Sequence, residues 1–308
     1  GLFLAIAAYA GLALYLTRGV TFTFDELTWL VESRRGFDRE SVLTPHNGHL
    51  IAITRLLFLS SLELFGPEHL PIRVFTIVTV ATVAVLAYLL IKRRVGPLPA
   101  LLAAILILFL GSTPVALQPS VTVFAQSTAA GLAALLMLER RDRLGDVAAC
   151  ALLVLGVASF SLGMAFVVGA AVMIGLDRDR WRRAWIVIVP LVLFAVWWVW
   201  ASKFEQSPAV LSNLLQAPRF GVDSLATALA ATAGLGRDVI EGTEGAAAPA
   251  FGQILTLGAL IALVVHGLRS GLTRLSWALI GVLATYWTLG ALGLAEFRTP
   301  ETERYIFP

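Results

Sequence analysis

Long, uninterrupted apolar runs recur along this sequence, and they constrain its fold more than any other feature. A helix that crosses the roughly 30 Å hydrocarbon core of a bilayer needs about 20 mostly apolar residues. The runs that approach or reach this length are Leu2–Leu16, Ile72–Ile91, Leu98–Leu110, Val121–Leu138, Ala184–Ala201, Phe251–Leu268 and Leu275–Leu294. Because these runs are continuous and do not alternate, they predict an all-α polytopic membrane protein and not a β-barrel.

The composition agrees with this prediction. Of the 308 residues, 58% are hydrophobic and 14% are charged, whereas an average soluble domain has about 25% charged residues. A chain this apolar cannot hide its hydrophobic surface in one aqueous domain, which excludes a soluble enzyme and a disordered tail. The net charge of +3 is expected of basic cytoplasmic loops, so we predict a bilayer as partner and no nucleic acid.

Short basic loops set the predicted orientation. Arginines and lysines cluster at 92–94, 140–143 and 178–183, and such loops stay on the cytoplasmic side. The apolar stretch Val147–Leu176 has basic loops on both flanks, so we expect a hairpin of two short helices that turns at Ser159–Gly163. With this hairpin the sequence predicts about nine spans.

The same orientation places the long polar segments outside. They are 17–71, 202–249 and the last residues from Ala295 to Pro308. His49–Phe65 is apolar but contains Arg55 and Glu63, and we interpret it as an amphipathic helix lying along the outer membrane interface. We expect residues 1–308 to form a single transmembrane domain, part of a longer chain because the apolar pattern is already under way at Gly1.

An acidic pair follows the first apolar run. Thr23 and Glu26 have the spacing of a helix-capping box, and Asp25 and Glu26 would be favoured in a first helical turn by the helix dipole. The functional alternative is that a carboxylate just outside the first span is a general base in a cavity bordered by the membrane.

Two of the four histidines flank an Asn-Gly pair, in the stretch Pro45-His46-Asn47-Gly48-His49. Histidines three residues apart can bind a metal together with a nearby carboxylate, but these ligands are few, so a divalent cation is not favoured and no cofactor is predicted. A polar turn that caps the next helix through Asn47 is the structural alternative. We favour a role in substrate binding for His46, Asn47 and His49.

Two further positions could bind an anion. Arg55 lies on an apolar helix, where an arginine is often functional, although it could also extend to the interface. Arg304 and Tyr305 stand in the external segment that ends the sequence, and they could bind a phosphate. An ordinary charged loop is the alternative for that pair.

Together these features resemble the GT-C superfamily of integral-membrane glycosyltransferases, near family 39 and the aminoarabinose and mannosyl transferases. The resemblance is carried by Asp25-Glu26 after the first span, by Pro45-His46-Asn47-Gly48-His49, by Phe65-Gly66, by Arg73 at the start of a span and by the basic cytoplasmic turns. It is greatest to uncharacterised actinobacterial-type members that have a Pro-His-Asn-x-His motif. It covers about residues 1–201 and the Arg-Tyr pair near the end.

The resemblance implies a sugar donor carried on polyprenyl phosphate and a site on the extracytoplasmic face of a bacterial plasma membrane. Asp25 would be the base or substrate anchor with Glu26 beside it, and Arg55 and Arg304 would hold the phosphate. Many members have an acid near the outer start of the fourth span, where this chain has Gln118-Pro119-Ser120-Val121, which argues against a second catalytic carboxylate. The alternatives are a non-catalytic transporter or flippase of lipid-linked glycans and a membrane scaffold.

Overall fold

The computed structural model describes residues 1–22, 25–32, 36, 38–109, 122–204, 211–233 and 248–294, and these residues are almost entirely helical. In chain order the helices are α1 Leu2–Leu16, α2 Asp25–Glu32, α3 Arg39–Leu43, α4 Ala52–Phe65, α5 Leu70–Val95, α6 Pro97–Phe109, α7 Thr122–Leu138, α8 Arg143–Ser159, α9 Leu162–Gly175, α10 Arg180–Arg183, α11 Trp185–Ala201, α12 Ala217–Thr232, α13 Ala248–Ser270 and α14 Arg274–Leu294. A 3₁₀ turn, Leu211–Leu215, precedes α12. The all-α class is therefore confirmed.

Four helical segments within the described residues are long and apolar enough to cross a membrane. They are Leu70–Val95, Arg180–Ala201, Phe251–Ser270 and Arg274–Gly293. Other apolar helices such as α1, α6, α7 and α9 form where the sequence predicts them but are shorter. The number of nine spans therefore stays a prediction, while the class of membrane protein has support.

The surfaces of these long helices explain why they suit a bilayer. Only 11% of the apolar window in Phe251–Ser270 is buried, and side chains such as Ile254, Ile261 and Leu268 are exposed. Soluble monomers rarely expose large contiguous apolar patches. A lipid environment removes the penalty of hydrating them.

The predicted helical hairpin in the middle of the chain is confirmed as two helices. Phe160 has φ −171° and ψ 157°, so its extended backbone separates α8 from α9. Gly163 then lies directly on the backbone of Gly156 and Val157, and a side chain at 163 would collide with it. The two helices can therefore approach closely only with glycine at this position.

The described chain divides into two compact units. The first unit consists of residues 1–167 and 181–206, in which α5 packs on α6 and α7, and α7 packs on α8. At one end of this unit the Arg183 guanidinium donates to Asp146 at 2.6 Å and to the Leu138 carbonyl at 3.1 Å. The Arg94 guanidinium is paired with Glu139. These ion pairs connect the predicted cytoplasmic ends of the helices in this unit.

The second unit consists of residues 168–180 and 207–308. Here α12 packs on α13 and α14. Gly252 lies against the backbone of Ala226, so the absence of a side chain allows α12 and α13 to pack closely. Arg274 pairs with Asp177 at 3.0 Å.

The predicted external segment 17–71 contains α2, α3 and α4. The expectation of a helix within His49–Phe65 is confirmed, since α4 spans Ala52–Phe65. Its position along the membrane interface remains a prediction. α4 packs on α3, α5 and α8, which brings the predicted site residues of this segment onto the helices of the first unit.

Candidate functional site

The two acids at the start of α2 have opposite environments. Successive residues of an α-helix point about 100° apart, so neighbours in the sequence need not share a face. The Asp25 side chain is 47% exposed, whereas Glu26 is only 1% exposed. Thr23, the predicted capping residue, lies outside the described residues. Asp25 is therefore the accessible carboxylate of the pair.

Pro45-His46-Asn47-Gly48-His49 forms a tight turn. The backbone N–H of His46 donates to the carbonyl of His49 and the reverse bond also forms, each at 3.0 Å. Asn47 has φ 51° and Gly48 has φ 77°, and two central residues with positive φ are typical of a type I′ turn, for which Asn-Gly is the preferred pair. The polar turn of the structural alternative therefore forms.

The capping role that the structural alternative gave to Asn47 is wrong. α4 begins after Ile51, which is the N-cap residue and offers no side-chain cap. Asn47 is instead exposed at the tip of the turn, where its residue type suits the left-handed backbone. Its predicted role in substrate binding stays a prediction.

His46 lies beside Asp25. Its Nε2 is 3.6 Å from the Asp25 Oδ1, and its ring contacts the edge of Trp29 with ring centroids 5.6 Å apart. Asp25 and Trp29 are four residues apart in α2, so they share one face of the helix. That face holds the imidazole between a carboxylate and an indole.

His49 has a different environment from His46. Its Nδ1 lies 2.8 Å from the Ser161 Oγ, and its ring packs on Phe160 with centroids 4.3 Å apart. Burial, with a smaller contribution from the charge of His46, lowers the pKa of His49 from 6.5 to about 4. The His49 imidazole is therefore neutral at pH 7 and can exchange a hydrogen bond with Ser161. The Ser161 contact links the Asn47-Gly48 turn to the start of α9.

Glu26 belongs to a buried pair that the sequence analysis did not identify. Its Oε2 is 3.2 Å from the Nε2 of His69, and both side chains are buried. The edge of the Phe22 ring packs on His69 with centroids 5.0 Å apart. His69 immediately precedes α5 and belongs to no motif. The one sequence signal that could have pointed to it is that the chain has only four histidines. The pair joins α2 to the start of α5.

Arg55 is buried and engaged within the protein. It is 3% exposed, its Nη2 donates to the Glu32 Oε2 at 3.0 Å, and its Nη1 donates to the Thr44 carbonyl. A buried cation needs such partners because it has lost its hydration. Arg55 therefore connects α2, α4 and the start of the turn, and both of its terminal nitrogens already have partners within the protein.

Arg73 plays a comparable part at the end of α1. It donates to the carbonyl of Thr17 and lies 3.4 Å from the Thr17 Oγ1. A cation is favourable at a helix C-terminus, where carbonyls lack partners. Arg304 and Tyr305, the remaining predicted site residues, lie outside the described residues, as do Gln118 and Ser120.

The contact between Asp25 and His46 suits proton transfer. Within the described ranges no group of three or more His, Cys, Asp or Glu side chains could hold a metal ion. Asp25 and His46 form an accessible carboxylate–imidazole pair, and such a pair can accept a proton from a substrate hydroxyl. Comparison with protein-family models, with curated proteins and with solved structures finds no match to this chain.

Proposed function

We propose that this protein is a multi-pass glycosyltransferase of the GT-C type in a bacterial plasma membrane. It would move a sugar from a polyprenyl-phosphate donor to an acceptor on the extracytoplasmic face. The observation that supports this most is the placement of Asp25, which is 47% exposed and 3.6 Å from His46, on a short helix a few residues beyond the first apolar helix. A carboxylate there could reach a donor in the membrane and an acceptor in water.

Sugar transfer from a lipid phosphate needs few catalytic groups. A lipid phosphate is a good leaving group, so transfer needs little help from a general acid. It does need a base for the acceptor hydroxyl and positive charge or hydrogen-bond donors around the phosphate. We assign the base to Asp25. His46, whose Nε2 is 3.6 Å from the Asp25 Oδ1, would orient the Asp25 carboxylate.

The proposed roles of Glu26 and Arg55 are revised, and those of Arg304 and Tyr305 stay as the sequence predicted them. We assign Glu26 to the contact between α2 and the start of α5, because it is buried against His69 and a base must touch its substrate. Arg304 and Tyr305 remain the proposed phosphate contacts. Arg55 would act mainly by holding α2 and the turn in place, since Glu32 and the Thr44 carbonyl already engage it.

The test must separate catalysis from transport. The full chain is reconstituted in liposomes with a radiolabelled polyprenyl-phosphate hexose and a candidate acceptor, and both transfer and transbilayer movement of the lipid are measured. We expect time-dependent loss of hexose from the lipid and its appearance on the acceptor. Movement of the intact lipid without any transfer would contradict the proposal and favour the flippase alternative.

A further inference from the structure

Three basic segments of the first unit meet at one end of its helices. They are the end of α5 at 92–95, the residues 139–146 from the end of α7 into α8, and the residues 181–183 that precede α11. Arg94 pairs with Glu139, and Arg183 donates to Asp146 and to the Leu138 carbonyl. These contacts place the three segments side by side, and together we call them the basic surface.

The basic surface has far more cations than carboxylates. It contains eight lysine and arginine residues and three acidic residues, an excess of five positive charges. Each of the three carboxylates already has an arginine partner, since Asp142 pairs with Arg140 at 3.0 Å and the other two have the partners named above. Lys92, Arg143 and Arg182 are exposed to the surroundings. The charge of this surface therefore suits an anionic partner.

Exposed apolar side chains lie among these cations. Trp181, Leu144 and Val95 are 82%, 68% and 65% exposed, and each is adjacent to an arginine in the sequence. A small soluble anion would leave these side chains in water. Tryptophan is instead enriched where a membrane meets water, and cations mixed with apolar side chains are typical of a surface that lies against lipid.

The place of the basic surface along the helices identifies the anion. α5 is apolar enough to cross a membrane, and its 26 residues extend about 39 Å, more than the roughly 30 Å hydrocarbon core. Its last turn carries Lys92, Arg93 and Arg94 and thus reaches the level of the lipid headgroups. The apolar segment Arg180–Ala201 begins at the same surface. The anions present at that level are the phosphates of anionic lipids.

We propose that the basic surface binds the headgroups of anionic phospholipids, which the predicted orientation places in the cytoplasmic leaflet. Lys92, Arg143 and Arg182 contact lipid phosphates, while Trp181 and Leu144 insert beside the acyl chains. The positive-inside rule requires only the charges and does not explain the exposed apolar side chains among them. This surface does not depend on sugar transfer, so its test and that of the proposed function can fail separately.

Native mass spectrometry of the purified full chain in neutral detergent tests the proposal without any sugar donor. Two lipids with the same palmitoyl and oleoyl chains are titrated, one being phosphatidylglycerol and the other phosphatidylcholine. We expect phosphatidylglycerol to bind more tightly by a factor between about 5 and about 25, which one or two cations near one anionic lipid give.

Variants with fewer cations locate the binding. The triple variant Lys92→Gln, Arg143→Gln and Arg182→Gln should bring the two affinities close to each other. The matched control removes the same charge from exposed cations elsewhere in the first unit, by changing Arg18→Gln, Arg39→Gln and Lys203→Gln, and should keep the preference of the wild type. An equal loss in both triple variants would assign the preference to net charge alone and overturn the proposal.

Two further measurements concern the lipid itself. Trp181→Ala leaves the charge unchanged and should weaken the binding of phosphatidylglycerol, because the indole no longer contacts the acyl chains. Glycerol phosphate at the concentration of the lipid should not displace phosphatidylglycerol. Displacement would indicate a site for a soluble phosphate and would contradict the proposal.

Thermal unfolding verifies that each variant is folded. If the triple variant fails to fold, Lys92→Gln alone is a milder change, since the Lys92 ammonium lies 5.5 Å over the Tyr88 ring; it should lower the preference about fivefold. Equal binding of the two lipids by the wild type would overturn the proposal.

Discussion

The Oε2 of Glu26 and the Nε2 of His69 lie 3.2 Å apart inside the first unit, with both side chains buried. The adjacent Asp25 is instead half exposed beside His46. This contrast assigns two neighbouring acids to different tasks. One contributes to packing between α2 and α5, and the other is available to a substrate.

Glu26→Gln should therefore affect stability more than catalysis. It removes a charged partner from a buried hydrogen bond, and we expect a loss of about 1–3 kcal/mol in the free energy of unfolding. Denaturant titration of the full chain measures this loss. Glu63→Gln, at an exposed position on α4, is the control and should change stability by less than about 0.5 kcal/mol. An equal effect of the two variants would contradict the role of Glu26 in the buried pair.

The stability should depend on pH through His49. Its pKa is lowered from 6.5 to about 4, so the unfolded chain binds this proton before the folded chain does. The stabilisation is present above pH 6.5 and is lost as the pH falls towards 4, by about 3 kcal/mol in total.

The thermal unfolding temperature measured from pH 7 to 4 checks this dependence. His49→Gln should flatten the profile in that range. If the unfolding temperature of His49→Gln fell with pH as steeply as that of the wild type, groups other than His49 would be responsible for the pH dependence of stability.

Substitution of Gly48 should destabilise the protein because of the conformation of its backbone. Its φ of 77° lies in the left-handed region, where a side chain costs about 1–2 kcal/mol. We expect Gly48→Ala to lower the free energy of unfolding by about that amount. Gly11→Ala is the control, since Gly11 lies within α1 and no heavy atom would contact its new methyl group within 4 Å. Equal stability of Gly48→Ala and wild type would argue against the type I′ turn.

The orientation can be tested with single cysteines in a Cys150→Ala background. Asn47 is exposed in a predicted external segment, and Asp179 lies in a predicted cytoplasmic loop. In intact cells, a membrane-impermeant maleimide should label Asn47→Cys and not Asp179→Cys. The reverse pattern of labelling would invert the orientation and remove Asp25 from the external face.

Much of the fold follows from the sequence, because apolar length and local turn chemistry are read directly from it. The runs at Leu2–Leu16 and Ala184–Ala201 match α1 and α11 closely, and the break near Ser159 is where α8 ends. The number of spans does not follow, since several apolar helices are shorter than a bilayer core requires alone.

The candidate site was less accessible to prediction. Spacing identified Asp25 and His46, yet it could not say which of two adjacent acids is exposed. His69 and Ser161 are far from the motif in the sequence, and only the packing of α5 and α9 brings them to Glu26 and His49. Arg55 met the criteria for a phosphate ligand, but its partner Glu32 was not apparent from any local pattern.

The account depends most directly on Asp25. Asp25→Asn keeps the shape of the side chain and removes the base, and general-base catalysis typically contributes about 10²–10⁴-fold. Sugar transfer from a polyprenyl-phosphate hexose, measured per folded molecule of full chain, should fall by that factor in Asp25→Asn and change little in Glu26→Gln. Near-wild-type transfer by Asp25→Asn would contradict the proposed base.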